Sequence, residues 1–164
     1  MERVTRWLDE DEQRTWRRFL TATQLINEAL DRQLQRDANM PHAYYVILVR
    51  LSEAPGRAMR MSELAAQAQS SQSRLSHAVA RLEERGWVRR ERSAADRRGN
   101  VAVLTEEGYA ALAAAAHGHV EEVRRTLFDV LEPEQVRELD EICAAVVSAA
   151  GGHVSPAGGN TLAR

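Results

Sequence analysis

The sequence predicts a mainly helical fold that carries one small β-hairpin, and three observations predict it. Apolar residues recur at helical spacing along most of the chain. Two such runs, Met61, Leu64, Ala65 and Ala68 and then Leu75, Ala78, Val79 and Leu82, stand either side of a short polar break. Two short β-prone runs, 87–92 and 101–104, follow at once and are joined by a polar tip. Two helices about a tight turn make a helix-turn-helix. With a hairpin behind them they make a winged helix, and helices on both flanks supply a dimerisation domain.

Taken in order, residues 1–8 form an arm. Helical spacing runs from Glu10 to about Asp37 through Trp16, Phe19, Leu20, Thr23, Leu30 and Leu34. Asn39-Met40-Pro41 breaks it, and Pro41 suits the first turn of the next helix. Ala43-Tyr44-Tyr45-Val46-Ile47-Leu48-Val49 is apolar all round, which fits a buried strand or a buried helix. A helix is expected, because Pro41 precedes the run and its pattern continues to Leu51. Ala54-Pro55-Gly56 is a loop.

Ser62 is placed to cap the first helix of the helix-turn-helix, and Ser70 and Ser71 occupy the turn in place of the usual glycine. Gly86 sits where a left-handed C′ residue ends the second helix. On that helix Ser70, Ser73, Arg74, His77 and Arg81 share one arc, opposite the apolar residues. Ser and Arg in the N-terminal half are residue types that reach phosphates and base edges in a major groove. The expected DNA contacts are therefore Ser71, Ser73, Arg74, Ser76, His77 and Arg81. A solvated amphipathic helix is the alternative, and the hairpin behind the helix decides against it. Arg97 and Arg98 at the hairpin tip are placed to enter a minor groove, with Asp96 holding a neighbouring guanidinium.

Thr105 caps a long helix, with Glu106 and Glu107 favourable in its first turn. Tyr109, Leu112, Ala113, Ala116, Val120, Val123, Leu127 and Leu131 keep helical spacing. Pro133 starts a last helix with Leu139, Ile142, Cys143, Val146, Val147 and Ala150 on one face. The Gly-rich end is expected to be disordered. The divisions read this way are 1–53 for the N-terminal helices, 54–104 for the DNA-binding lobe, 105–150 for the C-terminal dimerisation helices and 151–164 for the tail. The terminal helices carry more apolar surface than one small winged helix covers, which indicates an obligate interface.

The net charge of −2 argues against a nucleic-acid binder until its distribution is read. Between Arg74 and Arg98 eight Arg face four acidic residues, a local balance of +4 that leaves −6 on the remainder. No apolar run approaches the ~20 residues a membrane span needs. The N-terminus has no apolar core of a signal peptide, so a cytoplasmic location is expected. One cysteine excludes an intrachain disulfide. There is no G-x-S-x-G, no phosphate-cradling glycine loop and no H-E-x-x-H, so neither enzyme activity nor a cofactor is expected.

The run Arg81-Leu82-Glu83-Glu84-Arg85-Gly86-Trp87-Val88-Arg89-Arg90, then Asp96-Arg97-Arg98, then Val103-Leu104-Thr105 and Gly108, resembles the signature of MarR-type transcription regulators. Its specific part is the D-x-R wing followed by L-T-x-x-G, and the resemblance covers roughly Asp9 to Ala150. It implies a dimeric winged-helix DNA-binding protein, usually a repressor released by a small ligand or by oxidation. It also implies that the first, fifth and sixth helices pair across a two-fold, which sets two recognition helices about one DNA turn apart on a pseudo-palindromic operator. By the same resemblance a ligand sits between the first and second helices. Trp16, His42, Tyr45 and Arg50 are the candidates there, suited to an aromatic anion, with an ordinary aromatic core as the alternative.

Cys143 falls on an apolar helix face, where a buried thiol is inert. Peroxide-sensing relatives carry their cysteine near the N-terminus, and this chain has none there. His117 and His119 stand two apart on a helix, point to different faces and are expected to face solvent; no metal is expected. Two further classes remain as alternatives: a winged helix that only binds protein, and a carrier or enzyme built on the helical dimer.

Overall fold

Asp9 starts the first helix, α1 (Glu10–Ala38), through a capping box. Its carboxylate accepts the Glu12 amide at 2.8 Å, and the Glu12 carboxylate accepts the Asp9 amide at 3.0 Å. The computed structural model describes residues 5–92 and 100–152. The start of the expected arm, the hairpin tip with Asp96, Arg97 and Arg98, and the tail from 153 lie outside the described residues. Asn39 closes α1 in the left-handed region at φ 47°. Pro41 occupies the N-cap of α2 (His42–Glu53), one position before the first turn expected for it. The all-apolar run 43–49 is helical.

A short 3₁₀ turn at Pro55–Arg57 leads into a strand that the sequence reading does not contain, β1 (Ala58–Arg60). Three residues are too few to show a period of two. The strand runs straight into α3 (Met61–Gln67), whose N-cap is Arg60. Ser62 therefore lies inside the first turn and caps nothing, because pairing with the hairpin holds Arg60 extended and starts the helix before Ser62. Gln69, at φ 49°, takes the left-handed turn position. The recognition helix α4 (Gln72–Glu84) is capped by Ser71, whose hydroxyl accepts the Arg74 amide at 3.3 Å. Ser70 thus belongs to the turn and not to the helix face. Gly86 ends the helix at φ 73°.

Strands β2 (Val88–Arg92) and β3 (Asn100–Leu104) form the hairpin, and the antiparallel order is β1-β3-β2. Thr105 then caps α5 (Glu106–Thr126). Leu127 and Leu131, expected on this helix, fall past its end around a 3₁₀ turn at Phe128–Val130. Pro133 opens α6 (Pro133–Ala149).

Leu48 and Leu51 of α2 sit at the centre of one continuous core that joins Leu34 and Leu112 to Leu64, Leu75 and Leu82, all essentially inaccessible. The flanking helices and the winged helix are thus packed together through α2. In contrast, α6 has no buried residue. Cys143 is exposed, contrary to the burial expected from its apolar face, because among the described residues no other element covers that face. Trp16, Phe19 and Leu20 on α1 and Ile142 and Val146 on α6 are likewise exposed.

Candidate nucleic-acid interface and the groove beside it

Leu75, Val79 and Leu82 pin α4 to the core. At about 100° per residue, Ser73 and His77 then lie opposite the core, Arg74 and Arg81 on one flank and Gln72 and Ser76 on the other. All six side chains are exposed. Ser73, Ser76 and His77 make no side-chain hydrogen bond among the described residues. Ser71 is exposed as well, but its hydroxyl is engaged in the cap. Arg81 is tied down its own helix to Glu84 at 2.8 Å.

The local excess of positive charge is less free than the sequence count suggests. Arg90 is held by Glu83 at 2.5 Å and Arg89 by Glu91 at 2.7 Å. Arg85 donates to the Asn39 carbonyl at 2.9 Å and lies 4.9 Å from the Trp87 ring centre. The Arg90 pair braces the hairpin against α4, and the Arg85 hydrogen bond ties the end of α4 to the end of α1. Arg74 makes no ion pair among the described residues and is the cation of α4 left to a partner. Gln72, at the first helical position, is the exposed amide that the sequence reading passes over.

The structure divides the four expected effector residues. His42 and Arg50 line a groove of about 550 Å³, together with Asn27, Val46, Gln67 and Arg74. Its walls come from α1, α2, the end of α3, the α3–α4 turn and α4. Arg50 has its Nε buried without a hydrogen-bond partner, and its Nη1 stands 3.4 Å from Glu53. Trp16 is elsewhere: it is exposed and stacks on Phe19 with ring centres 6.0 Å apart. At the helical rise it lies about 22 Å along α1 from Asp31, the residue whose carboxylate accepts the His42 amide at 2.8 Å. Tyr45 is buried away from the groove, 4.2 Å from the His119 ring.

His119 is not solvent-facing. It continues the buried stripe of Gly108, Leu112 and Ala115, so its spacing carried the signal that pairing it with His117 hid. His117 is exposed and lies 3.2 Å from Glu121. The His119 ring stacks on His42 with centres 5.6 Å apart, and its Nδ1 is buried without a partner. Burial, and then the charge of His42, push its pKa down to about 4. Burial also lowers that of His42, against the pull of Asp31.

The His119 imidazole is therefore held neutral in the folded chain down to about pH 4, and burial disfavours the charged form of His42 as well, whereas the unfolded chain binds protons from about pH 6.5 downward. Stability should fall as pH drops from about 6.5 towards 4, the window in which the unfolded state carries the extra protons. His119→Phe should flatten that part of a melting-temperature profile relative to wild type. An identical profile would place the proton uptake elsewhere. Among the described residues no three His, Cys, Asp or Glu side chains converge as metal ligands. No described helix is long and apolar enough to cross a membrane.

A family model, MarR family, matches residues 38–99, which include α2, the helix-turn-helix and β2. A solved structure of Sco3205, a MarR family transcriptional regulator from Streptomyces coelicolor in complex with DNA, is 52% identical. It superposes with a TM-score of 0.84 over 92% of this chain and 96% of that one. The chain belongs to the MarR family. It is a MarR-family transcription regulator with the winged-helix fold of that family. AbsC, another MarR family regulator from Streptomyces coelicolor, is 42% identical with a TM-score of 0.84, over 91% of this chain and all of that one. Transcriptional regulator HosA of Escherichia coli is 33% identical over 59% of this chain and 70% of its own length. Within the MarR frame the D-x-R arginine, Arg98, falls outside the described residues, while Thr105 and Gly108 of L-T-x-x-G have visible work. The Thr105 hydroxyl donates to the Gly86 carbonyl at 2.6 Å and accepts the Gly108 amide at 3.0 Å, which locks α5 to the end of α4.

Proposed function

We propose that the chain acts as a homodimeric, sequence-specific repressor that binds a pseudo-palindromic operator and is released by a small anionic effector. The observation that carries the DNA reading is the outer face of α4. Ser73, Ser76 and His77 are exposed donors without internal partners, on a helix anchored by three buried side chains. The Sco3205 complex with DNA supports it. Residues 1–53 and 105–150 supply the dimer and 54–104 the DNA-binding lobe. A second copy is the natural cover for the exposed apolar residues of α1 and α6. Such a protein works beside the chromosome, in the cytoplasm. The double-stranded operator is the macromolecular partner, Arg97 and Arg98 reach its minor groove, and Asp96 supports the wing. His42 and Arg50 belong to the effector groove.

Selection of DNA sequences by the purified protein, with affinity measured against salt, tests this reading. Two half-sites about 34–36 Å apart and a steep fall of affinity with salt are expected. His77→Ala should flatten the preference at one position of each half-site, with a discrimination loss of roughly 1–3 kcal/mol if the ring reads a base edge. An even loss across all sequences would assign His77 to phosphate instead. Absence of any sequence preference in wild type would favour the protein-interaction module.

A further inference from the structure

Arg74 stands in two places at once. It lies on the exposed flank of the recognition helix, and it lines the groove that contains Arg50. We propose that Arg74 is shared between the operator and the effector: it pairs with a DNA phosphate when α4 is docked, and with an organic anion seated on Arg50 when the groove is filled. This rests on the DNA-binding reading above and on the groove as the effector site.

Three observations lead here. Among the described residues no carboxylate lines the groove; its polar groups are Asn27, His42, Arg50, Gln67, Gln69, Ser70 and Arg74, with two carboxylates beside it, Glu53 at 3.4 Å from Arg50 and Asp31 held by the His42 amide at 2.8 Å. The buried Nε of Arg50 lacks an acceptor, an arrangement that costs free energy until an acceptor arrives. A carboxylate answers a guanidinium with two parallel hydrogen bonds, and Val46, Ile47 and Ala78 offer an apolar wall to the body of the acid. Arg74 has no acidic partner among the described residues, so its long side chain is available to either ligand.

The consequence differs from a change in dimer spacing. An effector can shift DNA affinity only by its differential interaction with the two states. If the difference lies in one guanidinium, the largest loss the anion can cause equals the loss caused by deleting Arg74. The salt dependence should drop by about 0.9 per phosphate contact surrendered in each half-site.

Benzoate is a suitable probe, titrated into the full chain without DNA and then into the operator complex over a range of salt. Wild type should bind benzoate, and Arg50→Met should lose that binding. Saturating benzoate should bring the DNA affinity and salt slope of wild type to those of Arg74→Ala, and should leave Arg74→Ala unchanged. If benzoate binds wild type yet weakens DNA binding of Arg74→Ala by the same factor, the shared residue is overturned and the groove stands as an effector site acting through dimer geometry. If benzoate does not bind wild type, the anion groove fails, and the sharing with it. If wild type does not bind DNA selectively, the DNA reading itself fails, independently of the benzoate titration.

Discussion

Ile142→Asp is expected to convert the protein to a monomer and to weaken operator binding by roughly 10²–10⁴-fold, the factor that linking two binding modules confers. Ile142 and Val146 are 60% and 61% exposed on an α6 that has no buried residue. Together with Trp16, Phe19 and Leu20 on α1 they leave a larger apolar surface open than a folded monomer usually shows. In the proposed dimer a second copy buries that surface, and a carboxylate in its middle would be desolvated without a partner, which costs several kcal/mol. The core that holds α4 contains no α6 side chain, so the monomer should keep its fold and the winged helix its shape. Sedimentation and operator titration on the same preparation read both effects. A variant that still sediments as a dimer, or a monomer with wild-type operator affinity, would sink the assignment of α6 to the interface.

The parts of this molecule that follow from one-dimensional spacing were readable before the structure. The helical spacing of apolar residues located α3 and α4, two short β-prone runs about a polar tip located both strands of the hairpin, and Pro41, Thr105 and Pro133 marked where α2, α5 and α6 begin. Three features were not readable, each for a physical reason. β1 exists only because β3 pairs with it, and a three-residue segment has no pattern of its own. The exposure of Cys143 depends on what packs against α6, and periodicity identifies an apolar face without naming its cover. The effector candidates rest on residue chemistry, which says nothing of position along a 29-residue helix, and Trp16 lies far from the others within one chain. The groove formed by His42, Arg50 and Arg74 joins residues from the second and fourth helices, a juxtaposition set by the fold.

Gly108→Ala should be strongly destabilising. Helix propensity alone predicts the opposite sign, since Ala is favoured over Gly inside a helix by roughly 0.8–1.0 kcal/mol. Packing decides against it. A Cβ at Gly108 would lie 2.0 Å from the Trp87 carbonyl oxygen and 2.8 Å from both the Trp87 carbonyl carbon and a Leu104 methyl. The methyl can rotate, but the carbonyl cannot, because it accepts the Thr105 amide at 3.1 Å while the Trp87 amide donates to the Leu82 carbonyl at 3.0 Å. Relief requires the first turn of α5 to lift from the start of β2. That movement strains the Thr105 hydroxyl contact to Gly86 as well. Overpacking typically costs about 1–3 kcal/mol, and each weakened hydrogen bond adds roughly 0.5–1.5 kcal/mol. The sum exceeds the propensity gain, and the start of α5 shifts relative to the hairpin. Gly118→Ala is the comparison, because its Cβ would meet only side-chain ends and no backbone, Gln33 Nε2 at 3.0 Å and Asp37 Oδ2 at 3.4 Å, and these can give way. Urea unfolding of the two variants should rank Gly108→Ala well below Gly118→Ala and wild type. A Gly108→Ala midpoint equal to or above wild type would mean that the contact between α5 and Trp87 is not as close as described.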